Sequence, residues 1–299
     1  MAGKPISPGD LPIDAFVQAI TTIYAHHDRK RSIWDCWFHA QHHAAGVAEH
    51  VRKGILDGPL FDELADFAMW VFTMVSKRGA PLGQPQDWEV RQEEALVRVS
   101  KPLSGLLWTK FPGACPWCAT RSTITQAHYV RPCICQDDSG VTAHPSRKVL
   151  DTVWVDYATA HGHHTPPTID AWQTLFGTVY SQRLERLDPR SLALHLLEEV
   201  GEVSDAIVRT YSYIEGELKA GAPNHREARL GGAVSDVVSL LFGVCLKINV
   251  RLSGIVFTRY SDLAGARFAC RKCRESPCTC PIRIVPFDYP IAEVMRYHE

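Results

Sequence analysis

The chain has 299 residues, 45% of them hydrophobic, enough for two ordinary domains or one large one with a substantial core. Its 32 Lys+Arg against 33 Asp+Glu leave a formal charge of -1, so there is no long-range field to draw it to a nucleic-acid backbone or an anionic membrane. The opening MAGKPISPGDLPIDAF lacks a signal-peptide core, and no run is read as approaching the roughly 18 apolar residues that cross a bilayer, so a soluble, cytoplasmic protein is expected.

In chain order, a first helix is predicted over IDAFVQAITTIY at 13–24. His39, His42, His43, His50 and Glu49 follow; His39 and His43 share a helical face that Gly46 interrupts, and they read as ordinary partly buried or surface histidines. Glu63-Leu-Ala-Asp66 leads an apolar stretch to 75 in which Leu64, Phe67, Val71 and Met74 recur at helical spacing. An insertion at 79–101, with Gly79, Pro81, Gly83 and Pro85, reads as a surface excursion. LSGLLWTKFPGACPWC then runs from 103 to 118, and Cys133-Ile-Cys135 closes the half at 11–135. Residues 136–168, with His161, His163, His164 and Pro166-Pro167, read as a linker.

The second half, 169–285, repeats this order. IDAWQTLFGTVY at 169–180 answers 13–24 at an offset of 156 residues, with Ile169, Trp172, Leu175, Phe176 and Val179 as its stripe. Leu196, Val200, Val203 and Ile207 recur at i, i+4, i+7 and i+11. After a second excursion at 211–230, Ala233-Val-Ser-Asp236 leads another apolar stretch to 250, and LSGIVFTRYSDLAGARFACRKC at 252–273 answers 103–118. Val153-Trp-Val and Ile282-Arg-Ile-Val-Pro are short strand candidates that leave the class unchanged. Stripes on so many helices need one another for burial, so the expected fold is all-α, a bundle of two repeats about a pseudo-two-fold axis.

Glu198, Glu199 and Glu202 fall on neighbouring lines of one helix. A Glu-rich face is most often solvated surface. Like charges so placed also repel, and a shared divalent cation with hard oxygen ligands would offset that repulsion, with Asp236 on the next helix to complete the site. Glu198-Glu199-x-x-Glu202, a spacer, and Asp236 opening an apolar helix resemble the MazG-like, all-alpha nucleoside triphosphate pyrophosphohydrolase superfamily, whose pattern is EExxE on one helix and ExxD on the next. The resemblance covers both repeats, and the cysteine tails resemble those of some members. It implies Mg²⁺ (or Mn²⁺) held by Glu199, Glu202 and Asp236, Glu198 as base or orienter, and hydrolysis of a nucleoside triphosphate to monophosphate and pyrophosphate. The chain departs from the pattern: Ala233 replaces the first acid of ExxD in the second repeat, and His42-His43-Ala-Ala-Gly46 replaces EExxE in the first. Glu63 and Asp66 keep ExxD there and are candidates to supplement the second site.

Cys115-Pro-Trp-Cys118 with Cys133-Ile-Cys135, and Cys270-Arg-Lys-Cys273 with Cys278-Thr-Cys280, are two four-thiolate sets suited to tetrahedral Zn²⁺. A redox pair or disulfides leave the Cys-x-Cys of both copies unexplained. Each set is expected to form a small structural zinc loop pinning the end of its repeat. The expected partner is a nucleoside triphosphate, with a homodimer compatible with the reading. A non-catalytic nucleotide-sensing or protein-interaction module on the same scaffold is the alternative. Nucleic-acid binding through Arg121, Arg131, Trp117, Arg271, Lys272 and Arg274 is disfavoured by the near-neutral total charge.

Overall fold

The computed structural model describes residues 7–28, 31, 33–77, 102–113, 124–125, 128–129, 162, 165–211, 223–262 and 267–281. These are mostly helical, as the apolar periodicity predicts. A short 3₁₀ turn at Pro8–Asp10 precedes α1 (Ile13–Asp28), α2 (Ile33–Lys53), α3 (Gly58–Lys77) and α4 (Leu103–Lys110). Then come α5 (Ile169–Val179), α6 (Ser181–Arg186), α7 (Pro189–Tyr211), α8 (Pro223–Lys247) and α9 (Leu252–Tyr260). Between α4 and α5, β1 (Ile124–Thr125) pairs antiparallel with β2 (His128–Tyr129), Ile124 opposite Tyr129. Two-residue strands are too short to show alternation in a sequence, and this pair was not predicted.

Local chemistry sets the boundaries. The Thr168 hydroxyl accepts from Ala171 N at 3.1 Å and starts α5, and Asp188 accepts from Ser191 N at 2.8 Å ahead of Pro189 to start α7. Gly54 ends α2 with φ of +73°, a left-handed turn that glycine adopts without a Cβ clash. The excursion expected over 211–230 is shorter than predicted, because α8 begins at Pro223, a residue whose fixed φ suits a first helical position. The excursion at 79–101 lies outside the described residues, as do both strand candidates and nearly all of the linker.

The halves share a single core. α2 packs along α3, and α7 along α8. α2 and α7 meet between these pairs, where Trp37 Nε1 and Gln41 Nε2 both donate to Ser204 Oγ, at 2.8 and 2.7 Å. The short helices cross over: α4 lies on α8 and α9 on α3. Trp108 of α4 meets Trp172 edge to face at 6.3 Å, and Phe16 of α1 lies 5.2 Å from Phe268 and 5.7 Å from Phe72. Within each half the motifs that recur in sequence touch. Asp14 of α1 accepts from the backbone N–H (3.1 Å) and hydroxyl of Ser104, at the start of α4. Asp170 of α5 accepts from the hydroxyl of Ser253, at the start of α9. Asp14 thus caps its Leu-Ser-Gly helix through a backbone N–H, and Asp170 ties to its own through the serine side chain alone.

The segment Arg229–Lys247 is long and apolar enough to cross a membrane by length and composition, with mean hydropathy 1.6, contrary to the expectation that no run approaches this. In this structure it is the central part of α8, packed against α3, α4, α5 and α7, and 67% of its apolar window is buried. A helix surrounded by others on most sides is apolar around most of its circumference.

Candidate functional site

The α7–α8 pair brings the acids of the second half together. Glu199 is half-buried on α7, and its Oε2 is shut off from solvent without a hydrogen-bond partner among the described residues. Burial, the charges of Asp236 and Glu202, and more weakly Glu198 push its carboxyl up to about 7, against the opposing charge of Lys110. Glu202 is exposed. Glu198 is also exposed, and its Oε2 lies 3.2 Å from His195 Nδ1, one turn earlier on α7. Asp236 on α8 is ion-paired with Lys110 Nζ, which reaches it from α4 and also donates to Gly232 O at 3.1 Å. The group therefore comprises Glu199, Glu202 and Asp236 with one cation from the first half.

The corresponding place in the first half is filled from within. His43 stands where Glu199 stands in the second repeat, and its Nδ1 is 2.7 Å from Glu63 Oε2. Gly46 stands where Glu202 stands, and a Cβ there would meet Glu63 Oε2 at 2.6 Å. The bare backbone of Gly46 admits the Glu63 carboxylate, whereas the second repeat has a large Glu202 on one helix and a small Ala233 on the next. His39 stacks on Trp70 with centroids 4.3 Å apart, and burial lowers it to about 4. Glu49 pairs with Arg52 at 2.8 Å and Lys53 at 2.9 Å.

Asp66 is committed elsewhere. It is 2% exposed, and its Oδ1 accepts from Arg259 Nε (3.1 Å) and Tyr260 OH (2.6 Å). Its Oδ2 accepts from Arg259 Nη2 (2.9 Å) and from Arg271 Nη1. Burial alone would raise its pKa, but these donors outweigh it and hold the carboxyl below the ordinary range. Four donors engage the two oxygens of Asp66, and Glu63 is engaged by His43. Lys110 and Arg259 were not singled out from the sequence. The signal was present, since a basic residue occupies the same place after Leu-Ser-Gly in both repeats.

The second cysteine set converges. Cys270, Cys273, Cys278 and Cys280 have sulfurs that all lie within 4.8 Å of one another and could hold a metal ion. Cys270–Cys280 and Cys273–Cys278 are separated by 3.9 and 3.8 Å. Zinc–sulfur bonds of about 2.3 Å at tetrahedral angles put sulfurs about 3.8 Å apart, so the spacing suits that ion. Lys272 N and Cys280 N donate to the sulfurs of Cys270 and Cys278, each at 3.4 Å. Against burial, backbone N–H groups of Thr279 and Glu275 lower the Cys273 thiol to about 6, whereas burial raises Cys278 and Cys280. The loop docks on the first half, where Cys278 N donates to Ile23 O at 2.8 Å. Cys115, Cys118, Cys133 and Cys135 lie outside the described residues. No family model, curated protein or solved structure matches the chain.

Proposed function

We propose that the chain is a duplicated helical protein of MazG-like type whose second repeat carries one Mg²⁺-dependent site for hydrolysing nucleoside triphosphates to monophosphate and pyrophosphate. The duplication is supported by paired contacts: Asp14–Ser104 answers Asp170–Ser253, and Lys110–Asp236 answers Arg259–Asp66. The observation that carries the functional reading is Glu199, whose buried, unpartnered oxygen and like-charged neighbours Asp236 and Glu202 constitute unmet negative charge. Hard oxygens grouped in this way suit Mg²⁺ or Mn²⁺, and Glu199, Glu202 and Asp236 would hold it. When bound, the ion would neutralise phosphate oxygens and orient the attacking water. Glu198, exposed beside these acids and near His195, is available as the base or orienter. Lys110 is the nearby positive charge for a triphosphate, and the Cys270–Cys280 loop, with its counterpart at Cys115–Cys135, would take structural Zn²⁺ in a reducing cytoplasm.

One observation favours a second reading. Because Lys110 already neutralises Asp236, the scaffold could bind nucleotides without hydrolysing them, as a sensing or protein-interaction module. The deciding assay is pyrophosphate release from ribo- and deoxynucleoside triphosphates with Mg²⁺ or Mn²⁺. We expect release by the wild type and at least about a hundredfold loss in Glu202→Gln, in line with the roughly 3 kcal/mol that removing one transition-state stabilising group costs. Nucleotide binding without release would establish the second reading.

A further inference from the structure

The zinc loop does not end at its four cysteines. One of its two buried members, Cys278, faces the last turn of α1, where His27 Nε2 lies 3.4 Å from Cys278 Sγ. His26 is next to His27, the ring centroids 4.0 Å apart, and one nitrogen of each histidine with the Cys278 sulfur form a second set within 4.8 Å of one another. The two sets share Cys278. His27 is only 6% exposed, and its Nδ1 is buried without a hydrogen-bond partner among the described residues. An imidazole offers a metal one lone pair, and Nε2, the ring nitrogen that faces Cys278, is the one placed to give it.

We infer that His26, His27 and Cys278 form a second zinc position adjoining the Cys₄ site, with Cys278 as a thiolate bridging the two ions. Geometry and charge both support it. Zinc with a nitrogen at about 2.0 Å and a sulfur at about 2.3 Å, at tetrahedral angles, separates the two by about 3.5 Å, close to the His27–Cys278 spacing. Four thiolates around one Zn²⁺ leave a formal charge of −2, and a second Zn²⁺ held by neutral imidazoles cancels it. With three protein ligands the position keeps one coordination place for water or another small donor, as in zinc sites that are not closed. Because His26 and His27 belong to α1 and Cys278 to the tail of the second repeat, this ion would fasten the tail to the first half.

The inference rests on the Cys₄ reading, and the test separates the two. Zinc content and the zinc X-ray absorption spectrum are measured on the full chain, on His26→Gln/His27→Gln, and on Cys270→Ser/Cys273→Ser. The expected result is a mixed nitrogen and sulfur shell in the wild type, and loss of one zinc per chain with its nitrogen in the histidine variant, the sulfur-only zinc remaining. An all-sulfur shell in the wild type, or unchanged zinc in the folded histidine variant, overturns the second position and leaves His27 as an N–H donor to sulfur. Should the histidine variant not fold, Cys115→Ser/Cys118→Ser serves instead: nitrogen that persists without the first cluster supports the position, and nitrogen lost with that cluster overturns it. Unchanged zinc in Cys270→Ser/Cys273→Ser would instead sink the Cys₄ reading.

Discussion

Asp66→Ala is expected to lower stability by about 3–5 kcal/mol, the penalty for breaking a buried ion pair by removing one partner. The carboxylate gathers Arg259, Tyr260 and Arg271, so its loss strands cations from α9 and from the cysteine loop against α3. For a chain of this size the fall in Tm is on the order of 10 °C. Asp66→Asn keeps the shape but places an amide against two guanidinium groups, and is also expected to be strongly destabilising. The acid limb tests the same network. A carboxyl held below its unfolded value contributes stability that is fully present above the ordinary carboxylate pKa and is lost as pH falls through the folded one. Wild type should therefore lose stability steeply on acidification, and Asp66→Ala less so, in urea unfolding followed by circular dichroism between pH 2 and pH 6. A change within about 0.5 kcal/mol at pH 7 would match an unremarkable surface site and deny Asp66 this role.

Glu199→Gln is expected to act in the opposite direction, stabilising the Mg²⁺-free protein. Burial, Asp236 and Glu202 raise the Glu199 carboxyl from 4.5 to about 7, so the fold binds a proton there that the unfolded chain releases. The linkage sign follows: this group favours the folded state below about 4.5, and that contribution disappears as pH rises through about 7. Glutamine removes the penalty of ionising a half-buried acid among like charges. Lys110 and solvent already screen part of it, so the gain at pH 8 should be about 1 kcal/mol, or roughly 2–4 °C in Tm, with no gain near pH 4.5. Thermal unfolding in chelator-free buffer measures this without stripping zinc. Saturating Mg²⁺ should then raise the Tm of wild type and not of the variant. A variant less stable than wild type at pH 8 without Mg²⁺ would mean that the acids are satisfied by contacts of their own.

The parts of this architecture that were legible in the sequence are those that local periodicity encodes. Leu196, Val200, Val203 and Ile207 marked the buried stripe of α7, and Ile169, Trp172, Leu175, Phe176 and Val179 are all buried on α5. Cysteine spacing marked the convergent set at 270–280 that could hold a metal ion, because thiols of one tight loop are close in sequence as well as in space. What depends on which helix crosses which was not legible. Lys110 and Arg259 acquire their acidic partners only because α4 and α9 exchange halves, and His26 and His27 meet Cys278 across most of the chain. The fit of the Glu63 carboxylate against Gly46 and its contact with His43 are likewise matters of packing that a list of acids does not reveal. Polar and small residues such as Gly232, Ser235 and Ser239 interrupt the apolar run of α8, while burial on most sides keeps its mean hydropathy high.

We propose a cation site at Glu199, Glu202 and Asp236 and none at Glu63. The most direct test is a calorimetric titration of zinc-loaded protein with Mg²⁺ in the presence of a non-hydrolysable nucleoside triphosphate analogue. The expected result is saturable Mg²⁺ binding that Glu199→Gln abolishes and Glu63→Gln leaves intact. No Mg²⁺ binding by the folded wild type, or binding indifferent to Glu199→Gln, would contradict it.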